Sequence, residues 1–402
     1  MNKKAFISLC VAIFVAMLGM GIISPLMSIY ATNMGASGFW LGFMYSGFAL
    51  SRALIQPFTG WFSDHKGRKA LMTLGLGFYT LISLGYAFAS NIPQLASVRM
   101  LHGVASAMVI PVAQAYIGDL APKGKEGRTM GTFMMCMYLG MAGGPLLGGT
   151  VSERYSMNLA FYIMSALAGF GFLLLVLFVP EVQTRTVIAQ VKRAPMSVML
   201  KDNKVKAVAV YLGSRGIFRQ GISAFLPLYA VEVMGLHLSL ASAIVSVYIL
   251  TEALGQGLVG PIADRFPRKG LMIFAATTAP ALALLIHGMG NVPSLVAVLV
   301  PVALLTVVGR VPALAYNVEI GAKYGRMGAS MGVTNAAQDL GHFFGPIAFG
   351  WAMDRFGIGS VFTVGAIICL ACMPPMAYWI LRSEPGDVGN LISEVASDPP
   401  KS

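Results

Sequence analysis

The sequence predicts an all-α polytopic membrane protein of twelve helices arranged as two six-helix bundles, and three observations carry that prediction. Of 402 residues, 56% are hydrophobic and only 11% are charged, with a mean hydropathy of +0.73, which is too apolar for a soluble domain. Apolar runs of about 18 to 25 residues recur from end to end, each long enough to cross a hydrocarbon core of ~30 Å as a helix. A membrane barrel would instead show alternating segments of about 10 residues. Finally, the chain matches itself at an offset of roughly 200 residues, so two similar halves are expected.

The runs follow in order. The first, residues 5–30, is too long for the apolar core of a cleavable signal and leads straight into the next, so it is read as retained. Runs at 40–62, 70–89, 93–118, 131–152 and 159–180 complete a first bundle over residues 1–180. The polar segment 181–206, with Arg185, Lys192, Arg193 and Pro195, reads as a linker. Six more runs, at 207–231, 240–262, 270–289, 293–318, 328–352 and 358–381, form a second bundle over residues 207–382. Residues 383–402, with Pro385, Pro399 and Pro400, read as a disordered tail.

The formal net charge is +12, but the placement of the basic residues argues against a nucleic-acid partner. They cluster at alternate loops: Lys3 and Lys4, Lys66 to Lys69, Lys123 to Arg128, the linker, Arg265 to Lys269, and Lys323 with Arg326. The other loops hold only Arg154 and Arg355. The positive-inside rule therefore places both termini and the linker in the cytoplasm of a multi-pass cell-membrane protein. Cys10, Cys136, Cys369 and Cys372 fall within spans and lack the ligand neighbours of a zinc site, so they read as packing residues.

The internal repeat is detailed. Gly60 and Asp64 recur as Gly260 and Asp264, Gln56 as Gln256, Pro111 as Pro312, Gly144 and Pro145 as Gly345 and Pro346, and Glu153-Arg154 as Asp354-Arg355. A charge at mid-membrane costs several kcal/mol unless it faces a cavity or a partner. Spans 3, 6, 9 and 12 have none in their cores and are expected to face lipid. Spans 2, 4, 7, 8, 10 and 11 carry Arg52, Arg99, Arg215, Arg219, Glu252, Arg310 and Asp339, and are expected to face inward.

The stretch Gly60-Trp61-Phe62-Ser63-Asp64-His65-Lys66-Gly67-Arg68-Lys69 resembles the loop signature of the major facilitator superfamily, Gly-x-x-x-Asp-x-x-Gly-Arg-Arg/Lys, at its expected place between spans 2 and 3. Its copy at 260–269 keeps Gly260, Asp264, Arg268 and Lys269 but has Pro267 where the family has glycine. Arg99 and Gly103 in span 4 are similar to the family's Arg-x-x-x-Gly element, whose arginine is implicated in proton coupling. Gly140, Gly144, Pro145, Gly148 and Gly149 in span 5 are similar to the antiporter signature of the twelve-span drug:proton antiporter branch. The resemblance covers nearly the whole chain. It implies the major facilitator fold and proton-coupled efflux, with multidrug resistance as the related activity. It also implies a loop cluster of Gly60, Asp64, Gly67, Arg68, Asp264 and Arg268 that gates the cytoplasmic side. Such a cluster can form charge-assisted bonds to facing helix ends in one state and break them in the other. The two span 5 glycines allow close backbone approach, and Pro145 removes a helix hydrogen bond.

The intramembrane polar residues read as a site without the name. Arg52 and Gln56 share a helical face about 18 Å along the axis from Asp64, near mid-membrane. Glu252 and Gln256 occupy the matching positions of span 8, so a cation in one half stands where an anion stands in the other. Asn335, Asp339 and His342 form a polar stripe in span 11, and in the family's architecture span 11 lies beside span 2, which predicts an Arg52–Asp339 pair. Burial raises the pKa of an acid toward working pH, and only Asp339 and Glu252 lie deep enough, so they are the proton-coupling candidates, with Arg99 modulating.

Arg215, Arg219 and Arg310 join Arg52 in the expected cavity, biasing it toward an anionic or zwitterionic small molecule. Tyr45, Tyr248, Phe48, Phe218, Phe225 and Phe343 are candidate apolar walls. No nucleophile–base set, metal-ligand pattern or phosphate-binding loop is visible, so neither an enzyme nor direct ATP drive is expected. No cofactor is expected beyond the proton gradient, and no partner beyond the bilayer and substrate; a monomer is expected. Uptake of an organic anion on the same fold, or a sensor that does not transport, are the alternative expectations.

Overall fold

A computed structural model describes residues 3–120, 126–181, 195–263, 265–324 and 327–383. The first half forms α1 (Lys3–Asn33), α2 (Gly38–Lys66), α3 (Arg68–Phe88), α4 (Ile92–Leu120), α5 (Glu126–Arg154) and α6 (Met157–Phe178). A short α7 (Met196–Lys201) precedes α8 (Asn203–Glu232), α9 (Leu238–Ala263), α10 (Arg268–Ala283), α11 (Val292–Lys323), α12 (Met327–Phe356) and α13 (Ser360–Leu381). The twelve long helices are the twelve spans, with α8 to α13 as spans 7 to 12. Lipid offers no partner for an unpaired backbone amide or carbonyl, so only helices or a closed barrel can span it, and the long unalternating apolar runs suit the helix.

Among the described residues, nine helices are long and apolar enough to cross a membrane by length and hydropathy alone. The three long helices outside that group are α2, α8 and α12. Two of them hold Arg52 and Asp339 and the third holds Arg215 and Arg219, so their polarity reflects what they face.

Two corrections concern boundaries. Residues 195–206 had been expected to be linker, yet α7 forms there and α8 starts at Asn203, because the Asp202 side chain caps α8 by accepting from the Lys204 amide at 2.7 Å. Asp202 also accepts from Lys323 at 3.0 Å and Tyr324 at 2.7 Å, clasping α8 to the end of α11. Burial pushes the Asp202 carboxyl up, but these hydrogen bonds outweigh it and hold it below the usual carboxylate range.

The ninth span does not remain α-helical to residue 289. It tightens into a 3₁₀ turn at Leu284–Gly288, beyond Pro280, which supplies no backbone donor. The Tyr229 hydroxyl lies 3.0, 3.2 and 3.2 Å from the carbonyl oxygens of Ile286, His287 and Met289 at this helix end and shares its one proton among them. Tyr30 makes the matching bond to Ala89 in the first half, at 3.3 Å. Residues 384–402 of the expected tail, and 182–194 of the linker, lie outside the described residues.

Within the first bundle α1 packs on α5 and α6, α3 on α4 and α6, and α2 on α4; within the second, α8 packs on α12 and α13, α10 on α11 and α13, and α9 on α11. The α1–α5 seam is built on the span 5 glycines: Gly140 lies over Phe14, Gly144 over Leu18 and Gly21, and Gly148 over Ile22. A Cβ on Gly144 would fall 2.5 Å from the Leu18 carbonyl oxygen, so no larger residue fits this approach. Gly341 and Gly345 make the same seam between α12 and α8, against Gly213 and Ile217.

The bundles meet through α2 against α12, α5 against α9, and α1 against α8. We call the end bearing the chain termini the basic face, and the other the distal face. On the distal half the interface is closed: Leu41, Met44, Tyr45, Ser46, Phe48 and Ala49 of α2 are buried, and the Ser46 hydroxyl donates to the Phe343 carbonyl of α12. Toward the basic face the same helices come apart. Pro57, Phe58 and Gly60 of α2 and Gly332, Asn335 and Ala336 of α12 are exposed, on several faces of each helix. The cleft between the bundles therefore opens toward the basic face.

Candidate functional site

At the apex of that cleft lies a cavity of about 90 Å³. Its wall comes from α1 (Met20, Ile23, Ser24), α2 (Tyr45, Phe48, Ala49, Arg52), α4 (Arg99), α5 (Met141), α8 (Arg219, Gln220, Ser223) and α12 (His342). Of the six helices that the sequence marked as carrying membrane charge, α2, α4, α8 and α12 line it and α9 and α11 do not; α1 and α5, which were unmarked, do, while α3, α6, α10 and α13 contribute nothing.

The Arg52–Asp339 pair suggested by the sequence is formed. Arg52 Nη2 lies 2.6 Å from Asp339 Oδ1, joining α2 of one bundle to α12 of the other at the mouth of the cavity. His342 Nδ1 stands 3.5 Å from the same oxygen, one turn along α12.

Arg99 enters from the far wall. It is only 4% exposed, with its guanidinium carbon 4.5 Å from the Phe48 ring centre and 5.4 Å from that of Tyr45. Its Nε and Nη1 have no hydrogen-bond partner among the described residues. A guanidinium held against two aromatic faces retains donor capacity for a ligand. Behind it His102 is fully buried and bonded through Nδ1 to the Tyr86 hydroxyl at 2.8 Å, which makes it a packing residue and not a cavity group.

In the second bundle Glu252 is 2% exposed and gathers two arginines: Arg215 Nη2 at 2.9 Å and Arg219 Nε at 2.8 Å. The Thr306 hydroxyl lies 3.3 Å from it. Arg219 reaches the cavity, whereas Glu252 sits behind it. Arg310 crosses the interface to the Tyr138 hydroxyl at 3.2 Å.

Gln56, Gln256 and Asn335 stand toward the basic face, and neither they nor Arg215 and Arg310 line this cavity. Of the expected aromatic walls, Tyr45 and Phe48 line it and Tyr248, Phe218, Phe225 and Phe343 do not. Gln220, Ser223 and Ser24 were missed in the sequence, although Gln220 beside Arg219 in a spanning helix was a usable signal. Tyr138 gave none, since a tyrosine in an apolar helix is ordinary packing.

The ion pairs of Arg68 and Arg268 lie inside single bundles. Arg68 Nε lies 2.6 Å from Asp119 Oδ2 at the end of α4, and the Lys69 amide donates to Glu181 at 3.2 Å. Between α2 and α3 the chain turns at Gly67 with φ +96°, a region that favours glycine. At the matching place Pro267 has φ −58°, so the second copy turns differently. There Lys204 bonds Glu319 and Arg268 lies 3.9 Å from the same carboxylate. The side chain of Asp64, and Asp264 altogether, lie outside the described residues. Gly149 faces away from the α1–α5 seam, toward Ser242 and Leu238 of α9.

Comparisons with known proteins agree with this architecture. The sequence profile of the Major Facilitator Superfamily matches residues 9–244 and 214–400. The uncharacterized MFS-type transporter MJ1560 of Methanocaldococcus jannaschii is 27% identical over 386 residues, 92% of this chain and 96% of that protein. The quinolone resistance protein NorA of Staphylococcus aureus is 29% identical over 230 residues, 57% of this chain and 58% of that protein. Among solved structures, a bacterial homologue of the human lysosomal transporter Spinster, in an inward-facing and occupied conformation, superposes with a TM-score of 0.75 at 15% identity, covering 98% of this chain and 95% of that one. The nucleoside transporter NupG gives 0.74 at 14% identity, over 96% and 100%. The human organic anion transporter MFSD10 gives 0.67 at 18%, over 93% and 99%. At these identities the likeness to solved structures concerns the fold.

Proposed function

The chain belongs to the major facilitator superfamily, and from that premise we propose that it exports a small organic molecule across a cell membrane in exchange for protons, by alternating access. It is a membrane transporter and not an enzyme. By the positive-inside rule the basic face is cytoplasmic, so the cleft described above is open inward. The likeness to a quinolone resistance protein and the antiporter-type glycine seam of α5 both favour export.

The observation that carries the reading is the Arg52–Asp339 ion pair, which ties the two bundles together beside the cavity. A proton taken up by Asp339 removes one partner of a partly buried pair, leaves Arg52 uncompensated, and so shifts the equilibrium between bundle arrangements. Asp339 is the exchanging carboxyl in this scheme, Glu252 the second acid, and Arg99 the group that senses ligand or proton. The membrane interior holds five arginines against two carboxylates, and Arg99 has no carboxylate partner among the described residues. That excess suits an anionic or zwitterionic substrate with an apolar part for Met20, Ile23 and Met141.

Transport driven by an imposed pH gradient in everted vesicles tests the scheme. Asp339→Asn is expected to abolish gradient-driven accumulation while leaving substrate binding measurable. Undiminished accumulation by that variant would refute the assignment. The same arginine excess also favours a second reading, proton-coupled uptake of an organic anion. It predicts accumulation in right-side-out vesicles instead of everted ones.

A further inference from the structure

Gly149 and Glu153 stand one helical turn apart at the distal end of α5, and recur as Gly350 and Asp354 at the distal end of α12. Neither the cavity nor the exchanging carboxyl uses the two acids. The structure sets each of them against the start of a helix in the opposite bundle. Asp354 Oδ1 accepts from the Gly38 amide at 2.6 Å and Oδ2 from the Phe39 amide at 2.8 Å, at the first turn of α2. Glu153 Oε2 accepts from the Ser239 amide at 2.7 Å, at the first turn of α9. Glu153 and Asp354 are equivalent in the repeat, and so are Gly38 and Ser239, so one contact is built twice.

Two further features show that these contacts are made to be close. Gly350 lies against the Gly38 and Phe39 backbone, and Gly149 against Ser242 and the Leu238 carbonyl, so the helix behind each carboxylate can approach only because it has no side chain there. Ser37, a residue type well suited to cap α2 with its own hydroxyl, makes no such bond, and the orphan amides go to Asp354 instead. A carboxylate at a helix N terminus also meets the positive end of the helix dipole.

We infer that Asp354 and Glu153 are a pseudo-symmetric pair of latches that hold the distal side shut while the cleft is open at the basic face. All three bonds cross between bundles, so all break when the bundles rock. The Arg68–Asp119 and Lys204–Glu319 pairs lie within bundles and move with them. The latches therefore bias the equilibrium toward the arrangement seen here. This inference rests on the alternating-access reading above.

The test uses the full chain in lipid nanodiscs, with its four cysteines replaced by alanine and spin labels on Asn91→Cys and Asn291→Cys in the distal loops. Pulsed dipolar spectroscopy reads the distal distance. Asp354→Ala is expected to raise the ratio of distally open to closed molecules by about fivefold, the usual weight of a lost cap, and Asp354→Ala with Glu153→Ala by more. Asp354→Asn, which keeps the shape and should fold if alanine does not, is expected to shift the ratio in the same direction. Arg355→Ala and Arg154→Ala, which remove neighbouring charges and no latch, should leave it unchanged. An unaltered distribution in Asp354→Asn and in the double variant, or an equal shift in the arginine controls, would overturn the latches. A second label pair at Phe62→Cys and Leu258→Cys reads rocking itself. If neither distance changes with pH in the parent protein, alternating access fails; if the parent rocks and the variants match it, only the latches do.

Discussion

Replacing Gly144 with alanine adds one methyl group where two helix backbones touch. Its carbon would lie 2.5 Å from the Leu18 oxygen and 2.6 Å from the Gly21 carbonyl carbon, against the 3.5 to 4.0 Å or so of ordinary carbon contacts. Both obstacles are backbone, so relief requires α1 and α5 to part by about 1 Å, a gap that forfeits roughly a quarter to a half of each dispersion contact along the seam. Overpacking of this kind costs about 1–3 kcal/mol, and with glycine contacts over three turns the upper end applies. Alanine returns roughly 1 kcal/mol through helix propensity, leaving a net loss of about 2 kcal/mol. Gly131, on the same helix with nothing near its missing Cβ, is the control: alanine there gains propensity without a clash. Thermal unfolding of the purified proteins, followed by tryptophan fluorescence, should place Gly144→Ala several degrees below the parent and Gly131→Ala at or above it. A Gly144→Ala protein that unfolds no earlier than the parent would refute the claim that the span 5 glycines are there for backbone approach.

Two further outcomes follow from the fold. Tyr229→Phe removes the hydroxyl whose one proton is shared among three carbonyls of the 284–289 turn and should cost about 1–3 kcal/mol, read as a lower unfolding temperature with faster amide exchange confined to that turn. Asp202 is held below its ordinary value, so its clasp contributes stability that is complete above the unfolded-state pKa of about 3.9. That contribution is lost as pH falls through the depressed folded value. The stability gap between the parent and Asp202→Asn should therefore be full at neutral pH and close on strong acidification; a gap independent of pH would count against the clasp.

The residues divide by what one dimension can encode. Twelve spans, their order and the polar helices were legible, because lipid forces each apolar segment to satisfy its own backbone as a helix, and an arginine in such a segment announces a protected face wherever it sits. The Arg52–Asp339 pair was legible only with the family's helix arrangement added. Partners across helices had no such signal. Nothing in sequence said that Glu252 would be enclosed by two arginines behind the cavity wall, that Arg310 would reach Tyr138, or that His102 would turn to Tyr86 and away from the cavity. The repeat of Glu153 in Asp354 was visible as a pattern, yet the amides they bind belong to the opposite bundle, and only the crossing of α5 with α9 and α12 with α2 brings them within hydrogen-bond distance. Hydropathy and charge fix which segments enter the bilayer, since each residue meets lipid or water on its own account. Which side chain meets which depends on the rotation and register of packed helices, a property that the whole bundle sets and no single segment contains.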